Sequence, residues 1–220
     1  FLREARNAAA VQSERVVPIY HIGEQGGVPF FAMPHLKGES LASRLAREPK
    51  LPLPEVLRIG REIAEGLSAA HEKGMIHRDV QPGNVWLESP QDRVKLLDFG
   101  LSRNTSADVH LTQPGLMMGT PAFMAPEQAR NREVDSRADL FSLGILLYRM
   151  STGESPFGGT DLISTLISVA VDEPTRPDVP PALAQLILQL LSKKADDRPA
   201  SASEVARRLA EIEADPHRAV

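Results

Sequence analysis

The chain has 220 residues, of which 42% are hydrophobic and 25% are charged, so it is long enough to bury a sizeable core. Its 25 basic and 29 acidic residues give no basic field for nucleic acid, and no apolar run is long enough to span a membrane, so we expect neither partner within this segment. Cysteine is absent, which excludes disulfides and thiolate metal sites and permits an intracellular location.

The first third of the chain predicts a helix, a hairpin and a second helix. Residues 1–13 are rich in alanine and predict the end of a helix, and short strands are expected at 16–22 and 28–33. The glycine-rich residues 23–27 between these strands are typical of a hairpin turn. A longer helix is predicted over residues 54–73, because its apolar residues recur at helical spacing, at Val56, Ile59, Ile63, Leu67 and Ala70.

Two motifs follow this helix. The first is His77-Arg78-Asp79-Val80-Gln81-Pro82-Gly83-Asn84, and the second is Asp98-Phe99-Gly100, after 13 intervening residues. Residues 85–87 and 94–97 between them predict a short hairpin, which would bring Asn84 and Asp98 together. Phosphoryl transfer needs a carboxylate that faces the nucleophile and oxygen ligands for magnesium. Asp79 suits the first of these roles.

The second half of the chain carries three more patterns. Residues 119–127 read Gly-Thr-Pro-Ala-Phe-Met-Ala-Pro-Glu, Asp139 opens an apolar run over residues 140–147, and Arg198 lies in Asp-Asp-Arg-Pro. Helical spacing recurs over residues 182–191 and 202–213.

Together the motifs resemble the protein kinase family, and in particular the bacterial serine/threonine kinases of eukaryotic (Hanks) type, over nearly the whole chain. The resemblance implies an α+β, protein-kinase-like two-lobe fold. Residues 1–36 would be an incomplete small lobe of one helix and a β hairpin, residues 37–215 a mainly helical large lobe, and residues 216–220 a tail. The large lobe would contain a catalytic loop at 77–84 and an activation segment at 98–127.

The implied activity is transfer of the ATP γ-phosphate to serine or threonine hydroxyls of protein substrates, with ATP and Mg²⁺ as cofactors and a cytoplasmic location. By the resemblance, Asp79 would accept the hydroxyl proton, and Asn84 and Asp98 would hold the metal ions. Thr120 would contact the catalytic loop near Asp79. Gln81 stands where such kinases carry a lysine that contacts the transferred phosphate.

The resemblance also implies a nucleotide site between the lobes. Glu4 is the candidate for the ion-pairing glutamate of the small-lobe helix, and Met33 would be the gatekeeper against adenine. Pro34 would offer its carbonyl and Leu36 its N–H to the base. Trp86 resembles the position beneath the adenine ring, where its indole would stack on the base or crowd it; the alternative is an ordinary core tryptophan.

Structural and regulatory roles complete the implied assignment. Asp139 would anchor the backbone of the catalytic loop, and Arg198 would pair with Glu127. Arg78 would bind a phosphate on the activation segment, for which Thr112 is the first choice, ahead of Thr105 and Ser106. His71 and His110 are expected to be surface residues, since neither has metal-ligand partners at suitable spacing.

The chain departs from the family pattern in two ways. It starts at Phe1, inside the helix that would carry Glu4, so the resemblance implies that the first strands are missing with their Gly-rich loop and lysine. We therefore expect a truncated catalytic domain that is inactive as this fragment. Gln81 keeps a hydrogen-bond donor but lacks the charge of lysine. The alternative is a pseudokinase or docking module that binds a protein partner without catalysis. Gln81 and the missing strands favour that alternative, and the other site residues oppose it: Asp79, Asn84, Asp98 and Thr120.

Overall fold

The structure is a computed structural model, which describes residues 11–26, 28–98, 121–130 and 133–215. Several predicted site residues lie outside these ranges: Glu4, Thr105, Ser106, His110, Thr112 and Thr120. Their predicted roles therefore stay predictions.

The described strands form two antiparallel sheets. In the first, β1 (His21–Gln25) pairs with β2 (Val28–Ala32). In the second, the strand order is β3 (Gly38–Ser40), β4 (Val85–Glu88) and β5 (Arg93–Leu96). The hairpin predicted between the two motifs is the pair of β4 and β5, in which Val85 lies opposite Leu96.

Helices make up most of the remaining described residues. In chain order they are α1 (Leu41–Arg47), α2 (Leu53–His71), α3 (Pro126–Ala129), α4 (Arg137–Thr152), α5 (Leu162–Val171), α6 (Pro181–Leu190) and α7 (Ala202–Ala214). Short 3₁₀ turns occur at Pro82–Asn84, Pro121–Phe123 and Ala195–Asp197. None of the helices described here is both long and apolar enough to cross a membrane.

Helix α4 lies at the centre of the helical body. Its residues are buried on every side, from Ala138 to Ser151 with the single exception of Arg149, as expected for a helix with an almost continuous apolar sequence. Helix α2 packs against α4, α7 and β5. Its apolar stripe faces these neighbours, and the predicted residues Val56, Ile59, Ile63 and Leu67 are all fully buried.

The first predicted strand is displaced. Residues 16–22 were expected to form it, whereas β1 is His21–Gln25 and extends into the predicted turn, which contracts to the region of Gly26. Val16 and Val17 are buried against β5 instead, where Val16 forms an isolated parallel bridge with Leu96. Pro18 follows them and has no N–H to continue a ladder, so pairing stops there.

Four elements were not predicted, namely β3, α1, α3 and α5. Helix α5 has the sequence Leu-Ile-Ser-Thr-Leu-Ile-Ser-Val-Ala-Val, whose β-branched residues favour a strand. A capping box fixes the helix at its start: Ser164 N donates to Asp161 Oδ1 (2.9 Å), and Asp161 N donates to Ser164 Oγ (3.0 Å). This local pattern outweighs the β-branched composition.

Candidate active site

Asp139, near the start of α4, fixes the loop that carries the first motif. Its carboxylate is fully buried and accepts from two consecutive backbone amides, His77 N (2.8 Å) and Arg78 N (2.7 Å). The expected anchoring contact is therefore present. His71, at the end of α2, also contacts this carboxylate, with 2.8 Å between His71 Nε2 and Asp139 Oδ2. The expectation that His71 is a surface residue is wrong, because the last turn of α2 packs onto the start of α4 and leaves its side chain only 12% exposed.

Two amide side chains orient the Asp79 carboxylate. Gln81 Nε2 lies 3.0 and 2.9 Å from its two oxygens, and Asn84 Nδ2 donates to Asp79 Oδ2 (2.8 Å) and to the Asp79 carbonyl (2.9 Å). All three side chains are half-buried. Gln81 thus lies beside the predicted base. Because Asn84 Nδ2 donates to Asp79, Asn84 Oδ1 is the atom of this amide that suits a cation.

The β4–β5 hairpin delivers Asp98 to the same region. Leu97 N donates to Asn84 O (2.9 Å), which joins the chain just before Asp98 to the end of the first motif. Asp98 has a φ of +54° and Arg78 a φ of +64°, in the left-handed region that non-glycine residues adopt at a cost. Such strain concentrates at functional sites, where neighbouring contacts impose it.

The electrostatics around Asp98 favour a cation. Burial raises the pKa of the Asp98 carboxyl above its ordinary value; His77 acts in the opposite direction, and the adjacent Asp79 raises it further. Asp98 and Asn84 offer the hard oxygen donors that Mg²⁺ prefers. Within the described ranges, no group of three or more His, Cys, Asp or Glu residues could hold a metal. A site with few protein ligands suits Mg²⁺, which takes its remaining ligands from water and phosphates.

The residues predicted to contact adenine lie on the connection between β2 and β3 and on β4, the strand that pairs with β3. Met33 is 42% exposed, and Pro34 and Leu36 are half-buried between β2 and β3. Trp86 on β4 is half-buried, and its Nε1–H donates to the Lys37 carbonyl (3.2 Å). Val85 and Leu87 point into the core, so Trp86 lies on the opposite face of β4 and is not a core tryptophan.

Sequence reasoning missed Gln128, which connects the catalytic loop to the segment that carries the Ala-Pro-Glu motif. Its Nε2 donates to the Arg78 carbonyl (2.9 Å), and its Oε1 accepts from Ala125 N (3.0 Å). Gln128 is buried and follows the Ala-Pro-Glu motif directly. Adjacency to the motif was its only signal in the sequence.

The predicted pair of Arg198 and Glu127 is present and bidentate. Arg198 NH1 and NH2 lie 2.7 and 2.9 Å from the two Glu127 carboxylate oxygens. The Arg198 side chain is fully buried and also donates to the carbonyls of Ser192 and Arg137, each at 2.9 Å. This pair fixes α3 to the end of the chain segment that follows α6.

Comparisons with known proteins agree with this geometry. The family model described as "Protein kinase domain" matches residues 1–209. Serine/threonine-protein kinase pkn3 of Myxococcus xanthus is 36% identical over 99% of this chain and 42% of its own length. DNA damage-responsive serine/threonine-protein kinase RqkA of Deinococcus radiodurans is 39% identical over 94% of this chain and 32% of its own length. PknB of Mycobacterium leprae is 33% identical over 93% of this chain and 34% of its own length. The chain thus spans less than half of each relative.

Proposed function

Because the chain belongs to the protein kinase family, we propose that the protein containing it transfers the γ-phosphate of ATP to serine or threonine hydroxyls of protein substrates. The predicted fold class, the two-lobe α+β architecture of a protein kinase, is confirmed by the family match. The proposal keeps the predicted division into a small-lobe segment at 1–36 and a large lobe at 37–215. It also keeps the predicted cytoplasmic location.

One observation carries the proposal: the convergence of Asp79, Asn84 and Asp98 at the loop that Asp139 anchors. Asp79 accepts the proton of the attacking hydroxyl, and Gln81 and Asn84 hold its carboxylate in place. General-base catalysis needs this orientation, because the carboxylate must lie within hydrogen-bond distance of the proton it takes. The family resemblance of Gly119-Thr120 predicts serine or threonine over tyrosine as acceptor.

Members of this family use ATP and a divalent metal, and we assign Asn84 and Asp98 as the metal ligands. Bound Mg²⁺ supplies charge neutralisation on the phosphates during transfer. The chain's contribution is to present two oxygen donors from rigid positions at the two ends of the β4–β5 hairpin. Burial and the neighbouring Asp79 raise the pKa of the Asp98 carboxyl, His77 opposes this in part, and a bound cation would further favour the carboxylate.

We assign the base of the nucleotide to the segment formed by Met33, Pro34, Leu36 and the indole of Trp86. The hydrogen bond from Trp86 to the Lys37 carbonyl fixes the indole beside that segment. A fixed, half-buried aromatic face offers stacking to a purine. Of the two interpretations of the sequence, stacking on the base is the one we adopt.

A second candidate is a pseudokinase that binds nucleotide or a protein partner without transfer. The contact between Gln81 and both oxygens of Asp79 favours it, because a neutral amide there provides no charge for the transferred phosphate. A binding module, however, has no requirement for Asp79, Asn84 and Asp98 to converge.

Two substitutions in the natural gene product separate binding from chemistry. We expect Asp98→Asn to abolish Mg²⁺-dependent ATP binding, measured by calorimetry, since it removes a charged metal ligand. Asp79→Asn should leave that binding within a few-fold of wild type, because Asp79 acts on the acceptor hydroxyl. As a matched control, Asp135→Asn changes an exposed carboxylate of the large lobe that pairs with Arg137. ATP binding that is indifferent to Mg²⁺ and to Asp98→Asn would contradict the metal assignment.

A further inference from the structure

The edge of β5 that does not pair with β4 is covered by residues 15–17, which precede β5 by almost 80 residues in the sequence. Leu96 N donates to the Arg15 carbonyl (2.7 Å), and Val17 N donates to the Leu96 carbonyl (3.0 Å). Val16 between them is 3% exposed. Residues 15–17 therefore act as a very short parallel strand on the free edge of the strand that leads to Asp98.

The side chain of Arg15 fastens this segment to α2. Its Nε donates to Glu65 Oε2 (3.0 Å), and its NH1 lies 3.1 Å from Glu62 Oε2. The side chain is only 15% exposed, so solvent screens these ion pairs less than surface ones. Arg15 thus joins the edge segment to the long helix beneath the sheet.

Glu62 contacts β5 as well. Its Oε2 accepts from Val94 N (2.8 Å), and the residue is 5% exposed. The same carboxylate therefore binds Arg15 and the backbone of β5, two residues before Leu96. Both backbone amides on this edge of β5, those of Val94 and Leu96, are held by the assembly of Arg15 and Glu62.

Asp98 follows Leu96 by two residues and has the left-handed φ of +54°. Aspartate adopts this region more readily than most non-glycine residues but still at a cost, and the hydrogen bonds of the preceding strand help to hold it there. We infer that Arg15 is a positioning residue for Asp98: by clamping residues 15–17 to α2, it fixes β5 and thereby the direction of the Asp98 carboxylate toward the metal. This inference rests on the proposed role of Asp98 as a metal ligand.

Arg15→Met tests the inference, with Arg44→Met as the matched control. Arg44 is also 15% exposed and pairs with three carboxylates, those of Glu48, Glu55 and, at 3.9 Å, Asp92. It lies on α1 and approaches the turn before β5, at the opposite end of that strand from Leu96. We expect Arg15→Met to raise the Mg²⁺ concentration for half-maximal ATP binding about 10-fold, as loss of an outer-shell contact does. Arg44→Met should lose comparable stability without this shift.

Hydrogen exchange gives a readout that does not depend on activity. In the metal-free protein, the amide of Leu96 should exchange faster in Arg15→Met than in wild type or Arg44→Met, because its acceptor is no longer clamped. If Arg15→Met does not fold, Arg15→Lys tests the inference instead. Its ammonium should keep one ion pair, so the Mg²⁺ dependence of ATP binding and the exchange of the Leu96 amide should both shift by an intermediate amount.

Equal Mg²⁺ dependence and equal exchange at Leu96 in the Arg15 and Arg44 variants would overturn the inference while leaving the proposed function intact. Wild-type protein that binds ATP without any Mg²⁺ dependence would overturn the proposed metal site and the inference with it. A shift confined to the Arg15 variants supports the positioning role.

Discussion

Removal of the Glu127 carboxylate should strongly destabilise the helical body. Its partner Arg198 has a side chain with no solvent exposure, and Glu127 itself is 14% exposed. In Glu127→Ala the guanidinium keeps the carbonyls of Ser192, Arg137 and Lys193 as acceptors, but its buried charge loses the carboxylate that pairs with it directly. Breaking a buried ion pair in this way costs roughly 3–5 kcal/mol, and the three remaining carbonyl acceptors place our expectation at about 3 kcal/mol.

The assay is urea unfolding, followed by circular dichroism, of wild type, Glu127→Ala and a surface control. Glu211→Ala breaks the pair between Arg207 and Glu211, whose side chains are 63% and 46% exposed, and should cost at most about 1 kcal/mol. For a chain of this length, about 3 kcal/mol corresponds to a fall in Tm of roughly 6–12 °C.

A third variant tests the physical cause. If the stranded charge is responsible, Glu127→Ala combined with Arg198→Met should be more stable than Glu127→Ala alone, because the second change removes the uncompensated guanidinium. A Glu127→Ala protein as stable as Glu211→Ala would refute the reasoning, as would a double variant that is less stable than the single one.

Three further outcomes are expected. Trp86 is the only tryptophan of the 220 residues, so Mg-ATP should quench the tryptophan fluorescence of this chain. Unchanged emission at saturating nucleotide would contradict stacking of the base on the indole. Gln81→Ala should lower kcat roughly 10- to 150-fold with little change in KM for ATP, because loss of a hydrogen bond to a carboxylate costs about 1.5–3 kcal/mol. Burial lowers the pKa of Lys193 to about 8, although Glu173 and Asp172 favour its charged form. The folded protein then binds fewer protons than the unfolded chain above pH 8, so wild-type stability should rise from pH 8 to 10 relative to Lys193→Met, and parallel pH curves would contradict it.

The sequence predicted the elements that carry strong local signals. Helix α2 was expected over 54–73 and extends from Leu53 to His71, because its apolar stripe and flanking proline and glycine all agree. The β4–β5 hairpin was expected from two apolar runs between the motifs. Contacts of Asp139 with the catalytic loop, and of Arg198 with Glu127, followed from the family resemblance and are present.

The parts that escaped prediction depend on contacts between distant residues. Val16 and Val17 were predicted to belong to the strand that pairs with β2. They pair with the edge of β5 instead, because burial against Leu96 outweighs local pairing with β2. His71 was taken for a surface residue because no metal partner stands near it in sequence, whereas its partner, Asp139, lies 68 residues away. The contacts of Arg15 have no local sequence signal and those of Gln128 only its adjacency to the Ala-Pro-Glu motif, because their partners, Glu62 and Glu65 for Arg15 and the Arg78 carbonyl for Gln128, lie far along the chain.

Transfer of ³²P from Mg-[γ-³²P]ATP to a generic protein substrate such as casein, followed by phosphoamino-acid analysis, tests the central claim most directly. The measurement compares the natural gene product with its Asp79→Asn variant, with Asp135→Asn as the control for an exposed carboxylate. The account predicts phosphoserine and phosphothreonine with wild type and Asp135→Asn, and loss of transfer with Asp79→Asn. Absence of transfer in the folded wild-type protein, with ATP binding intact, would contradict the catalytic claim and favour the pseudokinase.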